Sequence, residues 1–128
     1  MDPRMAGSLP TIALIDDYAY VLKALTRLLR ARAFNVVPYG SAKEFLAALP
    51  LTFPDCLVVD MQMPDMTGLE LLQHLQREGL HIPTVVVTAR GDVDLVKHCI
   101  AAGASTCLRK PLQDTSLFEA IDAATRTS

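Results

Sequence analysis

Short apolar runs, each stopping at a polar residue, punctuate this chain. Thr11–Ile15 (TIALI) runs into Asp16 and Asp17, Cys56–Asp60 (CLVVD) ends on an acid, and Thr84–Val87 (TVVV) ends at Thr88. Runs this short and this rich in Val, Ile and Leu read as strands buried on both faces. Such strands need a covering layer on each side, and the segments between them supply it. Val21, Leu22, Leu25, Leu28 and Leu29 recur at helical spacing, with Lys23, Arg27 and Arg30 on the other face.

The rest of the chain keeps the alternation. Phe34 to Tyr39 makes a further strand, and Ser41 to Glu44 has the pattern of a capping box, in which serine and glutamate reciprocally satisfy amide donors. Thr67 to Glu70 repeats that pattern, and Leu69, Leu72 and Leu75 continue a helix that Gly79 stops. Val93 to Ala102 reads as a helix ended by Gly103. A brief strand around Cys107–Leu108 precedes Lys110-Pro111, and a last helix from about Asp114 turns Leu117, Phe118 and Ile121 inward. Five strands alternating with five helices predict an α/β fold: a doubly wound, five-stranded parallel sheet flanked by five helices, flavodoxin-like, with right-handed crossovers.

Composition sets the limits. A chain of 128 residues, 51% hydrophobic and 20% charged, makes one domain with its own core. Met1 to Leu9 reads as a disordered leader, residues 10–126 as the folded domain, and residues 127–128 as the C-terminal end. The net charge of −2 argues against direct nucleic-acid binding by this chain. No run approaches membrane-spanning length and the N-terminus lacks a secretory core, so a cytoplasmic protein without a membrane partner is expected. Cys56, Cys99 and Cys107 are odd in number and lack CxxC spacing, which argues for reduced, packed thiols over zinc or disulfides. His74, His81 and His98 have no metal spacing, and His74 is assigned to an exposed helix face.

Ligands of open α/β sheets bind beyond the carboxyl ends of the strands. That rule brings Asp16, Asp17, Asp60, Thr88 and Lys110 to one edge. Three carboxylates so gathered repel one another unless a cation compensates. Mg²⁺, which takes oxygen ligands and keeps some waters, meets that need. Lys110 adds a mobile positive charge and Thr88 a hydroxyl donor, the parts that stabilise a phosphoryl group moving in line to a carboxylate. Each residue alone has a plainer role: the acids as helix caps, the threonine as a strand terminus, the lysine as a solvated charge. Their joint placement favours the chemistry. Gly68 and Gly91 read as turn residues.

The runs IALIDDY, LVVDMQMPDMTGLELL, IPTVVVTARGD and AAGASTCLRKPL resemble the signature segments of response-regulator receiver domains of two-component systems. They stay in register from about residue 11 to 124 and are most similar to the FixJ-type branch. The resemblance implies that Asp60 accepts a phosphoryl group from a histidine kinase. It implies that Asp17 ligates Mg²⁺ directly, Asp16 mainly through water, and Gln62 through its backbone carbonyl, whatever its side chain. Asp60 belongs to the same metal set. Thr88 and Lys110 would each meet a phosphoryl oxygen, and the Lys110–Pro111 bond would be cis. The phosphorylated form would change conformation, homodimerise through helix 4, strand 5 and helix 5, and regulate an output. That output would be transcription, through a LuxR-type helix-turn-helix domain absent from these residues. A chain of this length fits either a shortened piece of such a regulator or a stand-alone receiver.

Two positions depart from the pattern. Cys107 stands where the family has Tyr or Phe, a ring that swings inward when the threonine moves. Either the coupling here runs through backbone and helix 4, or the output is weak. Gln62 lies two residues after Asp60, where haloacid-dehalogenase phosphatases need an acid; glutamine cannot serve as a general acid or base. An aspartate-nucleophile phosphohydrolase is therefore the disfavoured alternative. A persistent phosphoaspartate is expected instead, in a domain that catalyses only its own phosphorylation and slow dephosphorylation. A third reading is a receiver-like interaction module that no longer switches. Ala89 is small and leaves the site open to a bulky protein donor.

Overall fold

The computed structural model describes residues 9–89 and 93–126. Gly91, the leader up to residue 8 and residues 127–128 lie outside the described residues. The strands are β1 (Thr11–Ile15), β2 (Asn35–Tyr39), β3 (Cys56–Asp60), β4 (Thr84–Thr88) and β5 (Thr106–Arg109). Between and after them come α1 (Ala19–Ala31), α2 (Ala42–Ala48), α3 (Gly68–Arg77), α4 (Val93–Ala101) and α5 (Asp114–Arg126). All neighbouring strands are parallel, in the order β2-β1-β3-β4-β5. The chain leaves β1 for one edge and returns to β3 on the other side. The loops after β1 and β3 therefore part, and the crevice between them is where such sheets bind ligands.

Side-chain alternation divides the core in two. Ile12, Leu14, Cys56, Val58, Val85 and Val87 pack with Leu29 of α1 and Leu117 and Ile121 of α5. Ala13, Ile15, Leu57, Val59 and Val86 face the opposite way, against Phe45 of α2, Leu71 and Leu75 of α3 and Cys99 of α4. Each fully buried Val, Leu or Ile stabilises the fold by about 1.5–3 kcal/mol. β3 and β4 are buried along their whole length, whereas the edge strands β2 and β5 are only partly covered. That burial explains why the central strands read as unbroken apolar runs.

Helix ends follow the local chemistry, with corrections. At α3 the box is complete: Glu70 N–H donates to Thr67 Oγ1 at 3.1 Å, and Thr67 N–H donates to Glu70 Oε1 at 2.9 Å. At α2 it is only half formed. Glu44 N–H donates to Ser41 Oγ, but the Glu44 carboxylate reaches past Ser41 and accepts from Gly40 N–H at 2.8 Å. Gly79, at φ +69°, closes α3, with Leu80 N–H donating to Leu75 O at 2.9 Å and Gly79 N–H to Gln76 O at 3.1 Å. Ala33 does the same for α1 at φ +67°, a left-handed conformation that costs a non-glycine residue about 1–2 kcal/mol.

Gly68 is not a turn residue. It is buried as the first residue of α3, and a Cβ there would stand 3.1 Å from Asp60 O and 3.2 Å from Met61 Cα. Its N–H donates to Met61 O at 3.0 Å. The helix thus presses directly on the end of β3. His74, expected on an exposed face, is half-buried beside a hollow lined by Leu46, Leu49 and Phe53.

Candidate functional site

β1 delivers Asp16 into the crevice. Its N–H donates to Tyr39 O at 3.2 Å, and its carboxylate Oδ1 accepts from Tyr18 N–H at 2.9 Å. Tyr18 is the N-cap of α1 and makes no side-chain cap bond, so Asp16 ties down the loop ahead of the helix without being its cap. Asp16 is buried and Asp17 exposed. Asp60 closes β3 and is buried. Carboxylate oxygens of Asp16, Asp17 and Asp60 all lie within 4.8 Å of one another.

Lys110 arrives from the end of β5. Its N–H donates to Thr88 O at 2.8 Å, and the Lys110–Pro111 peptide is cis. The Lys110 ammonium lies 3.1 Å from Asp60 Oδ1. That is ion-pair distance, and among the described residues Oδ1 is buried with no other polar partner. Burial raises the Asp60 carboxyl above its ordinary pKa; Lys110 opposes the rise, and Asp16 and Asp17 add to it. Burial also raises Asp16, against the Tyr18 N–H and Lys110 and with Asp17.

These residues suit a hard divalent cation. The donors are all oxygen, two of the carboxylates are buried and one faces water, a set that suits a hard dication keeping part of its hydration. A dication there would offset the carboxylate repulsion that burial intensifies. Beside the acids, a cleft of about 270 Å³ opens between β1, α1 and the Lys110–Leu112 segment, lined mainly by apolar side chains including Val21 and Leu25.

Sequence reasoning left one participant out. Gln62 was assigned only a backbone role, yet its Nε2 donates to Thr88 Oγ1 at 3.1 Å. Its Oε1 faces the Thr88 hydroxyl at 3.5 Å and the Ala89 N–H at 3.4 Å. The available signal was positional: Gln62 follows a strand end by two residues, on the edge where the neighbouring strand ends in Thr88. Cys107 is half-buried, less than the packed thiol expected, and packs against the core cluster that holds Cys99. Burial raises both thiols, Cys99 to about 11.

A family model, the response regulator receiver domain, matches residues 12–122. This chain belongs to that family. The receiver is 40% identical over 114 residues to the transcriptional regulatory protein FixJ of Rhizobium meliloti (strain 1021), covering 89% of this chain and 56% of that one. It is 33% identical over 124 residues to the transcriptional regulatory protein TdiR of Thauera aromatica, covering 97% of this chain and 55% of TdiR. The crystal structure of FixJ-N superposes with a TM-score of 0.87 at 37% identity, covering 94% of this chain and 97% of the other. The FixJ-type resemblance and the five-stranded parallel receiver fold therefore hold. The receiver spans little more than half the length of these regulators. Among the described residues, no helix is long and apolar enough to cross a membrane.

Proposed function

We propose that this receiver is a phosphorylation switch in which Asp60 accepts a phosphoryl group from the phosphohistidine of a histidine kinase. One observation carries the reading: the buried Asp60 carboxylate lies within a three-acid cluster and has the Lys110 ammonium 3.1 Å away. A carboxylate oxygen of Asp60 attacks phosphorus, the P–N bond to the donor imidazole breaks, and Lys110 balances charge that develops on a phosphoryl oxygen. Thr88 donates its hydroxyl to another phosphoryl oxygen. Asp16, Asp17 and Asp60, with the Gln62 carbonyl, would hold Mg²⁺. When bound, Mg²⁺ supplies positive charge that offsets acid repulsion and developing phosphoryl charge.

Gln62 offers no acid or base to activate water, which favours a phosphoaspartate that persists and disfavours phosphohydrolase turnover. The phosphorylated state shifts the population toward a conformer that dimerises through α4, β5 and α5. By analogy with the regulators it resembles, its output is transcription in the cytoplasm, through a domain beyond these residues. The test is the chemistry of the bond. Protein labelled with acetyl phosphate and Mg²⁺ should lose its phosphate to neutral hydroxylamine, as an acyl phosphate does. A hydroxylamine-resistant label, or continuous release of phosphate from generic esters, would contradict the assignment.

A further inference from the structure

We propose that the Gln62 side-chain amide is a resting-state clasp, holding Thr88 Oγ1 and Ala89 N–H until a phosphoryl group on Asp60 displaces it. The inference rests on the phosphorylation reading above and adds a positioning residue to it. Met61 N–H donates to Val87 O at 2.8 Å, extending the β3–β4 ladder one step beyond Asp60. That step brings Gln62 alongside Thr88. The amide then engages the strand end with both its atoms: Nε2 donates to Thr88 Oγ1 at 3.1 Å, while Oε1 faces the Thr88 hydroxyl at 3.5 Å and the Ala89 N–H at 3.4 Å.

The chemistry of the two occupants explains the competition. A phosphoryl oxygen only accepts hydrogen bonds, and it needs donors such as a threonine hydroxyl and a backbone N–H. The Gln62 Oε1 is a neutral acceptor set toward those same two donors, so it stands where a phosphoryl oxygen would draw them away. Charged acceptors form hydrogen bonds roughly twice as strong as neutral ones, so the exchange favours phosphate once it arrives. The Oε1 contacts are long, and Gln62 is exposed to water that can replace them. The clasp is therefore weak enough to release, yet it must open before Thr88 can turn.

Two variants separate the clasp from mere polarity. Gln62→Met keeps the length and removes the amide, whereas Gln62→Asn keeps the amide and falls one methylene short. Both should take label from acetyl phosphate with Mg²⁺ about threefold to tenfold faster than wild type, the range for one or two modest hydrogen bonds. In protein given no phosphate donor, both should raise hydrogen exchange at the Ala89 amide about threefold. Wild-type labelling with no acceleration in either variant, or unchanged Ala89 exchange, would overturn the clasp alone. Absence of labelling in wild type would overturn the phosphorylation reading, and with it the clasp as a gate, whatever the exchange rates.

Discussion

The Lys110 ammonium stands 3.1 Å from Asp60 Oδ1, yet the lysine side chain keeps 31% of its exposure and the aspartate only 3%. The pair is lopsided: a fixed, buried acid is met by a cation that remains in contact with water. Such a lysine contributes little as a static salt bridge, because solvent screens it. In the proposed phosphorylation, its value would lie in following charge as that charge moves from carboxylate to phosphoryl oxygen.

Lys110→Met tests that role. Labelling from acetyl phosphate with Mg²⁺ should fall about 100-fold, the usual effect of deleting one preorganised charge-stabilising group. Folding stability at neutral pH should drop by only about 1 kcal/mol, as for a partly solvated pair. Comparable loss in both measurements would mean the lysine is merely structural.

The burial of Asp16 and Asp60 predicts an inverted pH dependence for the metal-free protein. Both folded-state pKa values lie above 3.8, so from about that pH upward the folded state holds more protons than the unfolded chain. These groups therefore weaken the fold as pH rises through their raised values, and the loss is complete above them. Asp60→Asn should remove part of this slope and raise the metal-free unfolding free energy at pH 7.5. Mg²⁺ at about 100 times its Kd should add about 2.7 kcal/mol to the wild type at that pH and far less to the variant. Denaturant unfolding across pH 4.5–8, with and without metal, reads all three effects.

Gly68→Ala should be costly out of proportion to one methyl group. The new Cβ would press on Asp60 O and Met61 Cα, which are backbone atoms and cannot rotate away. A loss of about 1–3 kcal/mol is expected, the range for overpacking. Because the strain falls on Asp60 itself, labelling should slow as well. A stable variant labelled at the wild-type rate would show that α3 does not fix the acceptor.

Ala33→Gly should do the opposite. Ala33 sits at φ +67° on an exposed helix end, where glycine removes about 1–2 kcal/mol of conformational cost. Glycine returns roughly 0.5–1 kcal/mol of that through unfolded-chain entropy. Thermal denaturation should register a net gain of a few degrees, with labelling unchanged.

These residues also mark what could be read from the sequence. The central strands β3 and β4 are buried on both faces, so their apolar runs announced them, and the polar residue at each end announced the crevice. Asp16, Asp17, Asp60, Thr88 and Lys110 were legible because a parallel sheet delivers strand ends to one edge. The Gln62 side chain was not, because its partner lies 26 residues away and only the register of β3 against β4 brings them together. Glu44 passing Ser41 for the Gly40 amide depends on loop geometry that spacing alone does not fix. Gly68 looked like a turn because glycine favours turns; its real constraint is close approach, visible only once α3 packs on β3. Ala33 carried no signal at all, since nothing in its identity marks a left-handed helix end.

Asp60 is proposed to take the phosphate and to need the metal to do so. Intact-mass measurement after acetyl phosphate treatment, with and without Mg²⁺, on wild type and Asp60→Asn, decides this. The wild type should gain a single phosphate only when Mg²⁺ is present, and Asp60→Asn should gain none. A phosphate adduct that forms without metal, or that survives the substitution, would contradict the account.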